Sequence, residues 1–352
     1  KQSQTGKVFS KILKLKKEGK DIINSAIGVP SWYPDLPYSS SYSTSKGNIN
    51  LIEKLVDYYK SNHLIELTND NLMISVGAKP SLLLCLKLLT EIGTKWIVPK
   101  PYWTSYPDMI ELVHGSTIFL DSNVENNWAL DLQKIEDSFK DNLVNGIILC
   151  HPNNPTGILY QDSFIEDLLK LSKKYNKFVI MDEVYLPLTD RKTSYSISKK
   201  VNFNNILVVS SFSKYWAVPG WRVGWILGNS ELVSKLVKLQ SSMFTCAPNA
   251  SQEVCTNLLI ENYTPDLSIL RKSQNELSKI LVSKGWKIAT NKYLSMYLFP
   301  VNDNIDIDDY VEKLLENGLG VISGEAFGYK NSIRITLPND IETLERIKNI
   351  IN

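Results

Sequence analysis

The sequence is poor in histidine and cysteine, and this scarcity excludes several kinds of site. Its 352 residues include three histidines and four cysteines, Cys85, Cys150, Cys246 and Cys255. The cysteines show neither paired spacing nor a metal-binding pattern, so we expect no disulfide framework and no metal site. Such cysteine usage is typical of a reducing compartment, and we therefore expect a cytoplasmic protein.

Long hydrophobic runs and an excess of charge of one sign are also missing. No segment reaches the length of a membrane span and no secretory signal is visible, so we expect no association with a membrane. The formal net charge is +2, with acidic and basic residues interspersed. Nucleic-acid binding is not expected either, because it requires a concentrated basic surface.

The chain is long enough for two domains. From about Leu51 to Asn229, segments with helical and strand-like patterns alternate, which predicts an α/β domain with a mostly parallel sheet between helical layers. A helical region from Glu231 to Leu258 should break at the proline within Cys246–Asn249. After Pro265 the pattern predicts a smaller α+β domain.

One lysine stands where an aldehyde-binding site would need it. Lys214 ends the run Ser210-Ser211-Phe212-Ser213-Lys214, and Arg222 follows eight residues later. Burial lowers the pKa of a lysine, and a free amine condenses with aldehydes. The hydroxyls of Ser211 and Ser213 and the guanidinium of Arg222 are groups that hold a phosphate. An aldehyde and a phosphate on one ligand describe pyridoxal phosphate, although a polar turn with a surface lysine has the same pattern.

Two further strand ends offer the other groups that this cofactor requires. Asp182 closes an apolar strand and can face the pyridine nitrogen, although an aspartate there is also a common helix N-cap. Tyr185, three residues later, can hydrogen-bond the ring's 3-oxygen. Asn154, in the segment His151–Gly157, can bind the same oxygen or belong to an ordinary turn. Because ligands bind at the carboxyl ends of parallel strands, we expect these side chains to converge.

A fourth segment offers backbone amides to a phosphate. Gly77 and Ala78 precede an amphipathic stretch with Pro80 in its first turn. A helix that begins there directs free N–H groups and the positive end of its dipole outward. Trp103 follows another strand, and on the sequence alone it is most simply a core or interface residue.

Together these motifs resemble the class I and II aminotransferases of the aspartate aminotransferase superfamily. The motifs, in family order and at family-like intervals, are His151–Gly157, Asp182–Tyr185, Ser211–Lys214, Pro219–Gly224 and Ser332–Thr336. The resemblance extends from about Asn24 to the carboxyl terminus. It implies the fold-type-I architecture of pyridoxal-phosphate enzymes, with the amino-terminal part of a small domain at 1–45, a large cofactor-binding domain at 46–262 and the carboxyl-terminal small domain at 263–352.

The resemblance implies a set of residues around the cofactor. Lys214 is similar to the lysine that forms the Schiff base, and Asp182 to the partner of the pyridinium. Asn154 and Tyr185 match the pair at the 3-oxygen, and Lys214, Asp182 and Tyr185 are the implied catalytic residues. The other matches to cofactor-binding positions are Gly77, Ala78, Lys79, Trp103, Ser211, Ser213 and Arg222.

A second implied set faces the substrate. Arg334 matches the arginine that binds the substrate's α-carboxylate through two parallel hydrogen bonds, and a solvated strand-end arginine is the alternative. Gly28, Trp103 and Asn154 belong to the same implied set. Lys79 matches a lysine that meets the substrate's distal carboxylate in a subgroup of bacterial-type aspartate aminotransferases, and a solvent-facing lysine is an equal alternative.

One segment departs from the family pattern. The stretch between Gly28 and Tyr42 is shorter than the corresponding segment of family members, which carries a helix. Tyr42 matches a tyrosine that reaches the cofactor phosphate of a neighbouring subunit. From this match we expect a homodimer.

The sequence therefore predicts a pyridoxal-phosphate-dependent aminotransferase that acts on an L-amino acid and a 2-oxo acid, with aspartate and glutamate as candidate donors. A carbon–sulfur β-lyase or a decarboxylase of the same fold would retain Lys214, Asp182 and Arg222, because the early chemistry is shared. A pyridoxal-phosphate-binding regulator is a third alternative, but no basic helix-turn-helix precedes residue 40.

Overall fold

The described part of the molecule contains two β-sheets, one of seven strands and one of three. A computed structural model describes residues 18–19, 37–63, 65–189 and 205–351. Gly28, expected in the substrate site, lies outside these residues.

The seven-stranded sheet and its helices occupy the chain from residue 49 to residue 260. In chain order the elements are α1 (Ile49–His63), β1 (Leu72–Ser75), α2 (Ala78–Leu89), β2 (Lys95–Pro99), α3 (Ser105–Leu112), β3 (Ser116–Leu120), α4 (Leu132–Phe139), β4 (Val144–Cys150), α5 (Asp162–Tyr175), β5 (Phe178–Asp182), β6 (Ile206–Ser211), β7 (Gly224–Leu227), α6 (Ser230–Met243) and α7 (Asn249–Ile260).

The strand order in this sheet is β1-β7-β6-β5-β4-β2-β3. Strands β2 to β6 run parallel to one another, whereas β7 is antiparallel to both β6 and β1. The central strands are buried on both faces; Val179, Ile180 and Met181 of β5 are wholly inaccessible to solvent. Continuous apolar strands of this kind need helices on both sides. The predicted mostly parallel α/β sheet is confirmed.

The register of the central strands brings the predicted site segments together. Cys150 at the end of β4 pairs with Asp182 at the end of β5. Asp182 in turn pairs with Val209, two residues before the end of β6. The segments that follow these strands therefore leave the sheet at one edge, where open α/β sheets bind ligands.

The long helical region after β7 is interrupted, as predicted. Helix α6 ends at Met243, and α7 begins at Asn249, directly after Pro248. Proline has no N–H to donate to the preceding turn, so it is placed where a new helix begins.

The three-stranded sheet lies in the carboxyl-terminal part of the chain. Its elements are α8 (Ser268–Ser283), β8 (Tyr297–Leu298), α9 (Ile307–Glu316), β9 (Ile322–Ser323), β10 (Ile333–Thr336) and α10 (Ile341–Ile351), with β10 antiparallel to both neighbours. Leu277, Ile333 and Leu344 belong to a separate apolar core here. Phe299 and Phe327 instead pack into the core of the larger sheet, so the two sheets meet along one boundary.

Two negative findings concern only the described residues. None of their helices combines the length and apolar character of a transmembrane segment. Among the same residues, no cluster of histidine, cysteine, aspartate and glutamate could hold a metal ion. All four cysteines are free, and Cys85, Cys150 and Cys255 are buried.

Candidate active site

Asp182 is a deeply buried charged group at this edge of the larger sheet. It ends β5 and is only 3% exposed. One carboxylate oxygen accepts a hydrogen bond of 2.8 Å from the Tyr106 hydroxyl on α3, and the other accepts the Val184 N–H at 3.3 Å. The second contact is the one that a turn-capping aspartate makes. The first fixes the carboxylate against a neighbouring helix.

Burial dominates the electrostatics of Asp182. Desolvation raises its pKa from 3.8 to about 6, although the hydrogen bonds from Tyr106 and Val184 and the charge of Lys214 oppose the rise. Within the described part of the chain this carboxylate forms no ion pair. A buried carboxylate without a cation is stabilised by a protonated ring nitrogen beside it.

Asn154 and Tyr185 lie side by side, as expected for two groups that bind one oxygen. The Asn154 amide nitrogen donates to the Tyr185 hydroxyl at 3.1 Å. A second phenol, that of Tyr297, has its oxygen 3.1 Å from the Tyr185 hydroxyl oxygen. All three side chains are buried. Desolvation raises the pKa of Tyr185 well above its usual value, and it therefore stays protonated.

Arg334 extends from β10 of the smaller sheet toward the same edge. Its guanidinium donates to the Asn154 amide oxygen at 3.2 Å. It also stacks over the rings of Tyr297 and Phe327, with its central carbon 4.6 Å and 4.9 Å from the ring centres. Its Nε is buried and has no hydrogen-bond partner among the described residues. A half-buried guanidinium with an unused donor is suited to a carboxylate ligand.

Lys214 follows β6 by three residues and is half-buried. Its amine lies 5.7 Å from the centre of the Tyr185 ring. The charge of Lys214 also contributes to the pKa of Asp182. The lysine thus lies on the Tyr185 and Asp182 side of the cleft between the two sheets.

The start of helix α2 forms a close-packed corner with Arg222. Gly77 has φ of +88°, and a Cβ there would lie 2.5 Å from the Arg222 guanidinium. A Cβ on Gly224 would lie 2.6 Å from the Gly77 carbonyl carbon and 2.8 Å from the Ala78 nitrogen. Glycine is therefore required at both positions. The first N–H groups of α2 and a guanidinium come together here, as a phosphate site demands.

Arg222 is held by backbone carbonyls. It donates to the Pro219 carbonyl at 2.8 Å and, more weakly, to the Val76 carbonyl at 3.4 Å. Ser211 is buried, and its hydroxyl accepts the Ser213 N–H at 3.3 Å. These contacts fix the turn that bears the two serines and Lys214.

Lys79 and Trp103 form a pair at the mouth of the cleft. The Lys79 amine lies 5.0 Å from the centre of the Trp103 indole. Trp103 is half-buried and meets the Tyr106 ring edge to face at 5.3 Å. Because Tyr106 also donates to Asp182, this ring connects Trp103 to the buried carboxylate. Lys79 itself is exposed, so its amine can meet a ligand.

Among the described residues that were predicted to form the site, Tyr42 lies apart from the rest. It is 56% exposed. It makes no hydrogen bond with another described residue. Its expected role belongs to a second subunit, and the structure of one chain leaves that role a prediction.

Comparison with known proteins agrees with this geometry. The family model described as aminotransferase class I and II matches residues 37–351. The chain belongs to the aminotransferase class I and II family.

Individual relatives cover almost the whole chain. An aspartate aminotransferase of Thermotoga maritima is 26% identical and aligns with 99% of this chain and 97% of its own length. A probable aspartate/prephenate aminotransferase of Rickettsia conorii is 28% identical, with 98% and 94% covered. The crystal structure of the Thermotoga maritima aspartate aminotransferase superposes with a TM-score of 0.81 at 25% identity, covering 99% of this chain and 97% of that one.

Membership of this family confirms the predicted enzyme class and function. The protein is an aminotransferase, and pyridoxal-phosphate-dependent transamination is the reaction that the relatives support. The alternatives of a β-lyase, a decarboxylase and a regulator are not favoured by these matches. The roles of individual residues remain predictions.

The residues of this aminotransferase suit the cofactor that its family implies. The close approach at Gly77 and Gly224 brings the first N–H groups of α2 beside the Arg222 guanidinium, and both kinds of group bind phosphate. Asp182 supplies a buried carboxylate for the ring nitrogen. The Nε of Arg334, which has no hydrogen-bond partner among the described residues, is a donor suited to the carboxylate of an amino acid. We find no described residue that conflicts with pyridoxal phosphate.

Two residues of the site were missed by the sequence analysis. Tyr106 lies three residues after Trp103, on helix α3, which directs it toward Asp182. Tyr297 carries no comparable signal. It reaches Tyr185 from a strand that begins 112 residues later in the chain.

Proposed function

We propose that this aminotransferase transfers the amino group of aspartate or glutamate to a 2-oxo acid, with pyridoxal phosphate held by Lys214. The observation that carries the proposal is the convergence of Lys214, Asp182, the Asn154–Tyr185 pair and Arg334 at one edge of the larger sheet. No two of these groups are required together by the packing of the core. Together they meet the needs of one cofactor and one amino acid.

The chain's own residues would hold the cofactor at three places. Asp182 keeps a proton on the pyridine nitrogen through a charge-assisted hydrogen bond. Asn154 and Tyr185 donate to the 3-oxygen. Arg222 and the first N–H groups of α2 neutralise the phosphate.

Arg334 would orient the amino acid. Its two parallel N–H groups bind the α-carboxylate, and the hydrogen bond to Asn154 fixes the guanidinium plane. The rings of Tyr297 and Phe327 exclude water from its faces. A substrate held in this way would have its α-carbon on the Lys214 side of the cleft.

Lys214 would carry the proton. Bound pyridoxal phosphate supplies an aldehyde that takes up the amino group and a ring that delocalises the electron pair left when the α-proton departs. The Lys214 amine would accept the α-proton of the bound amino acid as general base and would return it as general acid. Asp182 makes this transfer faster because it keeps the ring nitrogen positively charged.

The proposed preference for acidic donors rests on Lys79. Its exposed amine is positioned over Trp103 at the cleft mouth, where a substrate's distal carboxylate would extend. A cation at a helix start is disfavoured by the helix dipole, which supports a functional reason for it. Relatives that align with almost the whole chain, at 25–26% identity, are named aspartate aminotransferases.

A donor panel with Lys79→Ala tests this preference. We expect kcat/KM for aspartate and glutamate to fall by about 10- to 100-fold, the usual size of a lost charge-assisted hydrogen bond, with alanine as donor nearly unaffected. Lys87→Ala is the matched control, because Lys87 is an exposed lysine on the same helix. Equal losses for acidic and neutral donors would place Lys79 at the cofactor phosphate instead. An unchanged panel would leave it without a role in donor choice.

A further inference from the structure

A second buried phenol lies directly behind Tyr185. Tyr297, on β8 of the smaller sheet, has its hydroxyl oxygen 3.1 Å from that of Tyr185. The two rings meet edge to face, with centres 5.5 Å apart. Both side chains are less than 10% exposed. Two neutral hydroxyls in this position share one hydrogen bond, and either oxygen can be the donor.

The neighbouring groups decide which phenol donates. Tyr185 already accepts the Asn154 amide, whose orientation is set by the Arg334 guanidinium on its oxygen. In the described part of the chain, Tyr185 is the one hydrogen-bond partner of the Tyr297 hydroxyl. A buried hydroxyl hydrogen is almost always paired. Tyr297 satisfies this rule only by donating to Tyr185.

This direction leaves the Tyr185 proton free for a ligand. With Asn154 and Tyr297 both donating to its oxygen, Tyr185 cannot direct its own hydrogen at either of them. The remaining direction is the cleft, on the side where the Lys214 amine lies 5.7 Å from the ring. Hydrogen bonds accepted by a hydroxyl also strengthen the one that it donates.

Tyr297 is itself held in place by the substrate-binding arginine. The central carbon of the Arg334 guanidinium lies 4.6 Å from the centre of the Tyr297 ring and 4.9 Å from the centre of the Phe327 ring. The ring therefore has a fixed position relative to both Arg334 and Tyr185. Removal of the hydroxyl alone, by Tyr297→Phe, keeps this stacking.

We propose that Tyr297 is a positioning residue, which donates to Tyr185 and thereby directs the Tyr185 proton onto the 3-oxygen of pyridoxal phosphate. The inference rests on the proposed function, because it requires the cofactor to lie beside Tyr185. It extends that function to a residue of the smaller sheet.

The consequence is a shift in the pH titration of the bound cofactor. Hydrogen bonds donated to the 3-oxygen stabilise its negative charge, and so favour the deprotonated form of the bound cofactor. Loss of such a hydrogen bond therefore raises the pKa at which the bound cofactor loses its proton. The charged and titratable groups that face Tyr185 from the packed elements are Lys214, Asp182, Cys150, Tyr297 and Arg334, and Tyr297→Phe leaves all but one unchanged.

The test is a spectrophotometric pH titration of the cofactor-loaded protein. We expect the midpoint of the visible absorption change to rise by about 0.5 to 1 pH unit in Tyr297→Phe, the size of one buried hydrogen bond. Tyr185→Phe should show a larger rise. In the double variant, Tyr297→Phe should add nothing to Tyr185→Phe, because Tyr297 acts through that hydroxyl.

The control is Tyr175→Phe. Tyr175 ends α5, and its hydroxyl donates to Glu136 on α4. Its removal should leave the midpoint unchanged. A wild-type protein that gains no visible absorption with pyridoxal phosphate would contradict the proposed function itself. A normal wild-type titration with an unshifted Tyr297→Phe would overturn only the present inference. Two results would indicate that Tyr297 acts through Arg334 and not through Tyr185. One is that Tyr297→Phe shifts the midpoint equally in the wild type and in Tyr185→Phe. The other is a raised KM for the amino acid with an unchanged midpoint.

Discussion

Asp182, the proposed partner of the cofactor's ring nitrogen, lies where burial destabilises its charged form. The fold buries its carboxylate at the end of β5 and supplies two hydrogen-bond donors, Tyr106 and Val184. These donors do not offset burial, since the pKa still rises to about 6. A residue that served only as a turn cap would be better solvated. The excess cost is consistent with a partner that arrives with the ligand.

The burial of Asp182 should lower the stability of the cofactor-free protein. An acid whose pKa is higher in the folded than in the unfolded state binds more protons when folded, so its contribution to stability falls as pH rises from about 3.8 to about 6. Asparagine resembles the protonated carboxyl and removes this loss. We expect cofactor-free Asp182→Asn to be more stable than wild type by about 1 to 3 kcal/mol at pH 7 to 8.

Urea denaturation of the cofactor-free proteins at several pH values measures this difference. The gap should close as pH falls toward 4, because the wild-type carboxyl is then protonated in the folded state. A variant that is less stable than wild type at pH 8 would show that the carboxylate is satisfied in the native protein. Saturating pyridoxal phosphate should reverse the order in favour of wild type.

At the scale of elements, the corner between α2 and β7 is the proposed phosphate site. The N-terminus of α2 approaches β7 so closely that Gly224 has no room for a Cβ. The approach follows from the antiparallel pairing of β7 with β1, which places Gly224 opposite Ser75, two residues before Gly77. The helix dipole and Arg222 are thus brought together by strand pairing.

Gly224→Ala should therefore disturb cofactor binding through the backbone. The added methyl would displace the start of α2 from Arg222, and we expect the Kd for pyridoxal phosphate to rise at least about tenfold, with about 1 to 3 kcal/mol of stability lost to overpacking. Gly220→Ala is the matched control, since a Cβ at Gly220 meets no atom within 4 Å. Equilibrium titration of both cofactor-free variants measures the effect. Equal affinities of the two variants for pyridoxal phosphate would show that this corner does not bind the phosphate.

Sequence patterns predicted most of these elements, and the exceptions share a cause. Strand β1 was not predicted: it has four residues, and its pairing with β7 is fixed by residues about 150 positions away. Likewise, the Tyr106 contact with Asp182 spans 76 residues and the Tyr297 contact with Tyr185 spans 112. Local periodicity and motif spacing carry no information about contacts between residues so far apart in sequence. The motif residues were found because their chemistry is recognisable at each strand end.

At the scale of the whole molecule, the site depends on the junction of the two sheets. Arg334 and Asn154 are 180 residues apart in sequence and share a hydrogen bond. In the proposed site the larger sheet would supply the groups for the cofactor, and the smaller sheet would supply Arg334 for the substrate's carboxylate. The domain limits predicted at residues 45 and 262 remain predictions.

We further expect two such molecules to associate, which would complete the phosphate site. Tyr42 is exposed, and so are Ile260 and Tyr263 at the end of α7. In a homodimer Tyr42 would reach the partner's cofactor phosphate. Sedimentation equilibrium should give twice the mass of the chain, and Tyr42→Phe should weaken cofactor binding without dissociating the dimer. A stable monomer with full cofactor affinity would contradict this expectation.

The central claim is that Lys214 holds pyridoxal phosphate. The direct measurement is borohydride reduction of the cofactor-loaded protein, followed by proteolysis and mass spectrometry of the peptides. We predict loss of the visible absorption and a single reduced pyridoxyl adduct, on Lys214. An adduct on any other lysine, or no adduct in a protein that catalyses transamination, would contradict the account.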